Sequence, residues 1–181
     1  MNELRNWVKK GGRLILMDSA MDQFVDKDGF GLKRFATEDE KKASEEKNKK
    51  RKLAERLKSY KDRRRDRLSD NAYGSIVKIE MDPTHPLAFG YGDDYFSLRI
   101  RNHHYAFLPD GWNVGVTHDS TALVSGFVGI KAQENFRESM VFGVESMGRG
   151  NVVYLANNPL FRAFWRNGKL LFGNAVFIVG N

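Results

Sequence analysis

Cysteine is absent from this sequence of 181 residues, so disulfide bonds, thiolate metal ligands and cysteine nucleophiles are excluded. Long apolar runs are absent too, since none reaches the roughly 18 residues that a membrane-spanning helix needs, and no membrane span is expected. Apolar residues are nevertheless plentiful, at 41% of the chain, and aromatic residues make up 12%. This composition excludes a wholly disordered protein and is sufficient for one domain with a core.

Positive charge is concentrated in one segment of the chain. The net charge is +7, yet residues 38–67 alone contain 14 Lys/Arg and 8 Asp/Glu, which leaves the remainder nearly neutral. The segment contains no glycine or proline, and most of its residues are good helix formers, so we expect a charged helical insertion over residues 38–68. Its interspersed acidic residues, with Tyr60 as its single aromatic residue, favour a solvated or domain-contacting helix over a nucleic-acid site.

The beginning of the chain indicates a helix followed by a buried strand. Leu4, Trp7 and Val8 have helical spacing, and Gly11–Gly12 is a typical helix end. The apolar run Arg13–Met17 that follows is typical of a strand in a parallel sheet. A helix and a strand form half of an α/β repeat, and no strand precedes this helix. We therefore expect the upstream strands of the sheet to lie outside this chain.

Strand patterns and turns alternate through the rest of the sequence. Strands are predicted at 75–81, 95–101, 105–108, 121–124, 140–144 and 152–156, with a short helix at 131–138. Turns are predicted at Asp82–Pro86, which holds two prolines, and at Gly111–Gly115, which carries Trp112. Gly148–Gly150 indicates a hairpin connection. The apolar run Gly168–Val179 fits either a buried helix or a strand.

The most suggestive location for a ligand is Asn157–Asn158–Pro159, which follows a predicted buried strand. Asparagine before proline is typical of a helix N-cap and first turn. Ligands gather at such strand ends because free backbone N–H groups and the helix dipole face the crevice. Arg162 and Arg166 would add positive charge there. An ordinary cap followed by an exposed basic face remains the alternative.

His85 and Trp112 are further candidate contact residues. Asp82 precedes His85 by three residues and could orient it as a base, but the neighbouring prolines favour a rigid turn in which His85 caps backbone groups. The pair Asp93–Asp94 offers too few oxygens for calcium. Ser125 lacks the preceding glycine of a serine-hydrolase elbow.

Several stretches resemble one known family. Val152–Arg166 and Lys169–Phe177 resemble the closing segment of the class I glutamine-amidotransferase-like domain that is appended to bacterial zinc carboxypeptidases of the carboxypeptidase A type. Thr84–Gly90, Gly111–Gly115 and Leu4–Ile15 resemble the same domain. The resemblance spans most of the chain, and the charged segment is its least similar part.

The resemblance implies one α/β domain over residues 1–181, with a three-layer flavodoxin-like fold that lacks its N-terminal strands and has Gly168–Val179 as a buried helix. It also implies the C-terminal piece of a longer enzyme, secreted or in the cell envelope, whose peptidase domain holds the zinc. The family's His-x-x-Glu zinc pair is not in this chain, because none of the four histidines has glutamate three residues later. Without cysteine, amidotransferase catalysis is excluded as well. We therefore expect no enzyme activity, metal or cofactor in this chain.

Three functions follow from these observations. The first is a non-catalytic accessory domain of a zinc carboxypeptidase-like protein, which supports or positions the peptidase domain or its partners. The second is a small-ligand-binding domain that uses the crevice near Asn157. The third, nucleic-acid binding through residues 38–67, is the least favoured. The peptidase domain of the same polypeptide is the expected partner, and a sheet edge without its upstream strands could also pair two copies into a homodimer.

Overall fold

The computed structural model describes residues 1–34, 59, 74–101, 104–118, 122–129, 132 and 138–180. The predicted insertion at 38–68 lies outside the described residues except for Ser59, as does most of the predicted helix at 131–138. The described parts form an α/β protein. Its helices are α1 (Asn2–Lys9) and α2 (Asn167–Phe177), and its strands are β1 (Arg13–Met17), β2 (Ser75–Met81), β3 (Asp94–Arg99), β4 (Gly111–Thr117), β5 (Leu123–Ser125), β6 (Ser139–Met147) and β7 (Gly150–Leu155). Short 3₁₀ helices cover Asp18–Gln23, Pro86–Ala88 and Phe161–Ala163.

The strands form one mixed sheet in the order β1-β7-β6-β4-β2-β3, with β5 also paired to β2. Only β1 and β7 run parallel among the described pairs, and the others are antiparallel. The predicted opening helix and strand are confirmed, and so is the hairpin at Gly148–Gly150, which joins β6 to β7. Gly11, with φ +116°, follows α1 in a conformation that favours glycine.

Strand β7 lies at the centre of the core. Val152, Val153, Tyr154 and Leu155 are all fully buried, so both faces of the strand are covered. Helix α1 packs against the start of β7, where a side chain at Gly150 would overlap the Val8 carbonyl. On the opposite side of the strand, Gly180, which follows α2, lies against the Asn151 side chain.

A half-buried carboxylate attaches the loop after the first 3₁₀ helix to the sheet. Glu145 of β6 accepts hydrogen bonds from the Gly31 backbone N–H at 3.1 and 3.0 Å and from the Tyr154 hydroxyl at 2.7 Å. Burial, and then the neighbouring Glu145, raises the pKa of Tyr154 far above its ordinary value, so its hydroxyl remains a donor. The contact fixes the loop over β6 and β7.

Helix α2 corrects one implication of the resemblance. It is a helix, as implied, but it buries only one face, which contains Leu171 and Asn174, while Leu170 and Phe177 are 44% and 73% exposed. The Asn174 amide donates to the carbonyls of Leu87 and Phe89 at 3.0 and 2.8 Å, which fixes the helix to the turn after β2. In the part of the chain described, no helix is long and apolar enough to cross a membrane.

Two other local predictions are wrong. Gly111–Gly115 is not a turn, because it forms most of β4 and pairs with β6. Its glycines make room for close packing, since a Cβ at Gly115 would lie 2.6 Å from the Phe142 ring. The segment 105–108 is not a regular strand, because Tyr105 makes only isolated bridges to Arg34 and Met140.

Two glycines of α2 should respond oppositely to alanine. A Cβ at Gly168 would overlap the Pro159 carbonyl, so Gly168→Ala should lower the free energy of unfolding by about 1–3 kcal/mol. Gly173 has open space around it, so Gly173→Ala should raise the same quantity by about 0.4–1 kcal/mol. Urea unfolding followed by circular dichroism measures both. Changes of the same sign in the two variants would contradict this packing of α2.

Candidate ligand pocket

A pocket of about 350 Å³ opens where the Asp82–Pro86 turn lies over β4, β6 and β7. Its walls include Asp82, His85, Trp112, Ser146, Asn151 and Gly180, which come from well-separated parts of the sequence. A volume of this size is within the range of small-molecule sites in proteins. The pocket therefore joins the predicted turn to the Trp112 segment.

His85 and Trp112, both candidates from the sequence, are neighbours in this pocket. Their ring centroids lie 5.8 Å apart, with the ring planes tilted by 47°. Trp112 lies on β4 opposite Val144 of β6, and it remains 52% exposed. An aromatic wall that is half open to solvent is thus available to a ligand.

His85 has the capping role that the prolines predicted. Its Nδ1 accepts a hydrogen bond from the Leu87 backbone N–H at 3.0 Å, at the start of the 3₁₀ helix Pro86–Ala88. Burial lowers the pKa of the imidazole, and nearby Asp82 only partly opposes this. The neutral ring must then carry its proton on Nε2, which makes His85 a hydrogen-bond donor in the pocket.

The Asp82 carboxylate is hydrogen-bonded within its own turn. Its Oδ1 accepts from the Thr84 N–H at 3.0 Å and from the Thr84 hydroxyl at 2.6 Å. These hydrogen bonds lower the pKa of the carboxyl, so Asp82 is ionised at neutral pH. Because His85 Nδ1 is bonded to Leu87, Asp82 does not form the hydrogen bond that would orient His85 as a base. The turn interpretation is therefore confirmed over the catalytic pair.

Ser146 and Asn151 complete the polar lining, and the sequence pattern did not identify either of them. They are opposite residues of the β6–β7 hairpin, and the Ser146 hydroxyl lies 3.4 Å from the Asn151 amide oxygen. Their only sequence signal is that they are polar residues within mostly apolar strands. The hairpin register is what brings them together in the wall of the pocket that His85 also lines.

The predicted crevice at Asn157 has a different structure from the one expected. No α-helix begins at Asn158: its side chain accepts from the Leu160 N–H at 2.9 Å, a 3₁₀ helix follows at Phe161–Ala163, and α2 starts only at Asn167. The helix dipole expected there is therefore missing from this position. The Asn157 amide donates to the Ser97 hydroxyl at 2.9 Å.

The two arginines expected beside Asn157 do not line the Trp112 pocket. The Arg162 guanidinium lies over the Phe161 ring, 5.2 Å from its centroid, and Arg162 has a positive φ of 49°. Arg166 precedes α2, where its carbonyl accepts from the Lys169 N–H. The structure thus brings His85 and Trp112 together and leaves Asn157, Asn158 and both arginines outside their pocket.

A residue with no sequence signal stands at the carboxyl end of β1. Asp18 follows the strand with φ +50°, a conformation that aspartate tolerates better than most residues. Its carboxylate forms an ion pair with Arg101 at 2.9 Å. The pair links β1 to the segment after β3.

A second pocket, of about 410 Å³, lies beside β2 and carries more charge. Lys78 Nζ lies 2.9 Å from Asp94 Oδ2, and His118 Nε2 lies 2.9 Å from Glu80 Oε2. These charged side chains are therefore paired with each other. Among the described residues, no group of three or more His, Asp or Glu side chains is placed to hold a metal.

The His85 cap should make stability depend on pH. Since the folded-state pKa is below the ordinary value of 6.5, the unfolded chain binds the proton more tightly, and the free energy of unfolding should fall as pH drops below 6.5. His85→Asn keeps a side-chain acceptor but does not titrate, so it should show a smaller fall between pH 7.5 and 5.0. Urea unfolding measures both, with His118→Asn as the control that retains the fall. If the free energy of unfolding of His85→Asn falls with pH as steeply as that of the unaltered chain, the capping role of His85 is contradicted.

Comparisons with known proteins give no family assignment. No family model, curated protein or solved structure matches this chain. The resemblance to the carboxypeptidase-associated domain therefore rests on the sequence motifs alone.

Proposed function

We propose that the chain is a non-catalytic α/β accessory domain that binds a ligand in the pocket between His85 and Trp112. The observation that carries the proposal is the convergence of a half-exposed tryptophan with polar groups of two other segments: Asp82 and His85 from the turn, and Ser146 and Asn151 from the hairpin. Apolar surface with a few convergent polar groups is the usual composition of a ligand site. The Asn157 crevice is less favoured, because no α-helix begins at Asn158 to direct its N-terminus at a ligand.

The proposed setting is a zinc carboxypeptidase-like protein, in which this domain would position the peptidase domain or its substrate. Two of the stretches that carry the resemblance, Thr84–Gly90 and Gly111–Gly115, supply His85 and Trp112 to the pocket. In this proposal the zinc belongs to the peptidase domain of the parent protein, and the parent is secreted or in the cell envelope.

We also propose that the mixed sheet derives from a flavodoxin-like, class I glutamine-amidotransferase-like architecture. Support comes from the order α1-β1, from the parallel pairing of β1 with β7, and from the helix α2 that follows β7. In such a fold, further parallel strands would continue the sheet beyond β1, which is an edge of the described sheet.

The native polypeptide should be much larger than 20.7 kDa if the domain belongs to a peptidase. An antibody against this chain, used on lysate and secreted fraction of the source cells, would measure that size. A band near 20.7 kDa would overturn the peptidase setting and leave the ligand pocket as the remaining proposal.

Ligand binding should be visible at one tryptophan. The chain has three tryptophans, hence three indole N–H signals in an NMR spectrum, and Trp112→Phe identifies the signal of the pocket. In a library of amino acids, sugars and phosphates, at least one compound should shift the Trp112 signal and leave that of Trp7, which is 51% exposed on α1, unchanged. A library that moves no signal, or moves both equally, would count against the pocket.

A further inference from the structure

The chemistry of the Trp112 pocket points to its ligand class. We infer that the pocket binds a neutral saccharide, with one face of a sugar ring stacked on the indole of Trp112. This inference rests on the proposed ligand-binding function and names the class of ligand for the same pocket.

The apolar wall of the pocket fits the C–H face of a sugar. Trp112 offers a flat aromatic surface that is 52% exposed, and its neighbour His85 lies at an angle of 47° to it. A sugar ring presents a flat patch of C–H groups on one side and hydroxyl groups around its rim. Stacking on an indole buries that patch and leaves the hydroxyl groups to the polar lining.

The polar lining mixes donors and acceptors. Asp82 is an acceptor and neutral His85 is a donor through Nε2, while the Ser146 hydroxyl, which donates to Asn151 Oδ1, can accept and the Asn151 amide nitrogen can donate. A hydroxyl group also donates and accepts, so a polyhydroxylated ligand can satisfy all four side chains. A ligand of one polarity would leave some of these groups without a partner, which costs free energy.

The charges of the lining argue against ionic ligands. An anion would meet the Asp82 carboxylate, and the described residues that line the pocket include no lysine or arginine to attract it. A cation would find one carboxylate, of which Oδ1 already accepts two hydrogen bonds from Thr84, and one indole face. The donor groups of His85 and Asn151 would then have no acceptor on the ligand.

Titration of the full chain tests the inference. The probes are the methyl glycosides of glucose, galactose and mannose, together with N-acetylglucosamine, and the readouts are the Trp112 indole signal and the dissociation constant. At least one sugar should bind. Trp112→Ala should weaken that sugar at least tenfold, and Asp82→Asn should weaken it about threefold or more. Trp7→Ala, the same change at an equally exposed tryptophan outside the pocket, should leave the affinity unchanged.

The outcomes separate the saccharide inference from the proposal that the pocket binds a ligand. Tetramethylammonium, arginine and inorganic phosphate form the second arm. If one of these shifts the Trp112 signal and no sugar does, the saccharide inference is overturned and the ligand pocket stands. If no probe in either arm shifts it, both fall. Sugar binding that is retained in Trp112→Ala would overturn the placement of the site, and Trp112→Leu, which also removes the aromatic face, tests the same point if the alanine variant unfolds.

Discussion

The burial of β7 on both faces is the constraint on which the other elements depend. Its residues Val152–Leu155 are fully buried between a parallel neighbour, β1, and an antiparallel neighbour, β6. A strand of this kind is stable only if something covers each face of the sheet. Helix α1 and the loop held by Glu145 cover one face, and the residues after α2 cover part of the other. The Trp112 pocket lies where this second cover ends.

The turn over the pocket is held in place from several directions, which makes the site largely pre-formed. The Asp82 N–H donates to the Val114 carbonyl at 2.9 Å, His85 caps the 3₁₀ helix, and Asn174 of α2 binds the carbonyls of Leu87 and Phe89. A ligand entering such a site does not have to order the turn first. Less of the binding free energy is then spent on conformational entropy.

The sequence predicted the elements whose signals are local. Helical spacing and Gly11 defined α1, the alternation of Ser75–Met81 defined β2, and the paired prolines identified a rigid turn capped by His85. The prediction failed where a local signal has two meanings. The glycines of Gly111–Gly115 resemble a turn, but they provide space for Phe142 inside the sheet.

The polar lining of the pocket also shows that local sequence signals predict only part of the structure. Trp112 and His85 were identifiable because their residue types are informative in themselves. Ser146 and Asn151 became part of the site only through the register of the β6–β7 hairpin, which no spacing along the chain specifies. Asn158 followed by Pro159 is a pattern typical of the start of an α-helix. In the structure the same two residues precede a 3₁₀ helix that begins at Phe161.

The Glu145 carboxylate has a consequence for the environments in which this fold can persist. It joins Gly31 and Tyr154 across the chain, a task that small secreted domains often assign to disulfide bonds. Because the link contains no sulfur, thiols such as glutathione cannot break it and oxidants are not needed to form it. The loop is therefore attached equally well in a reducing and in an oxidising compartment.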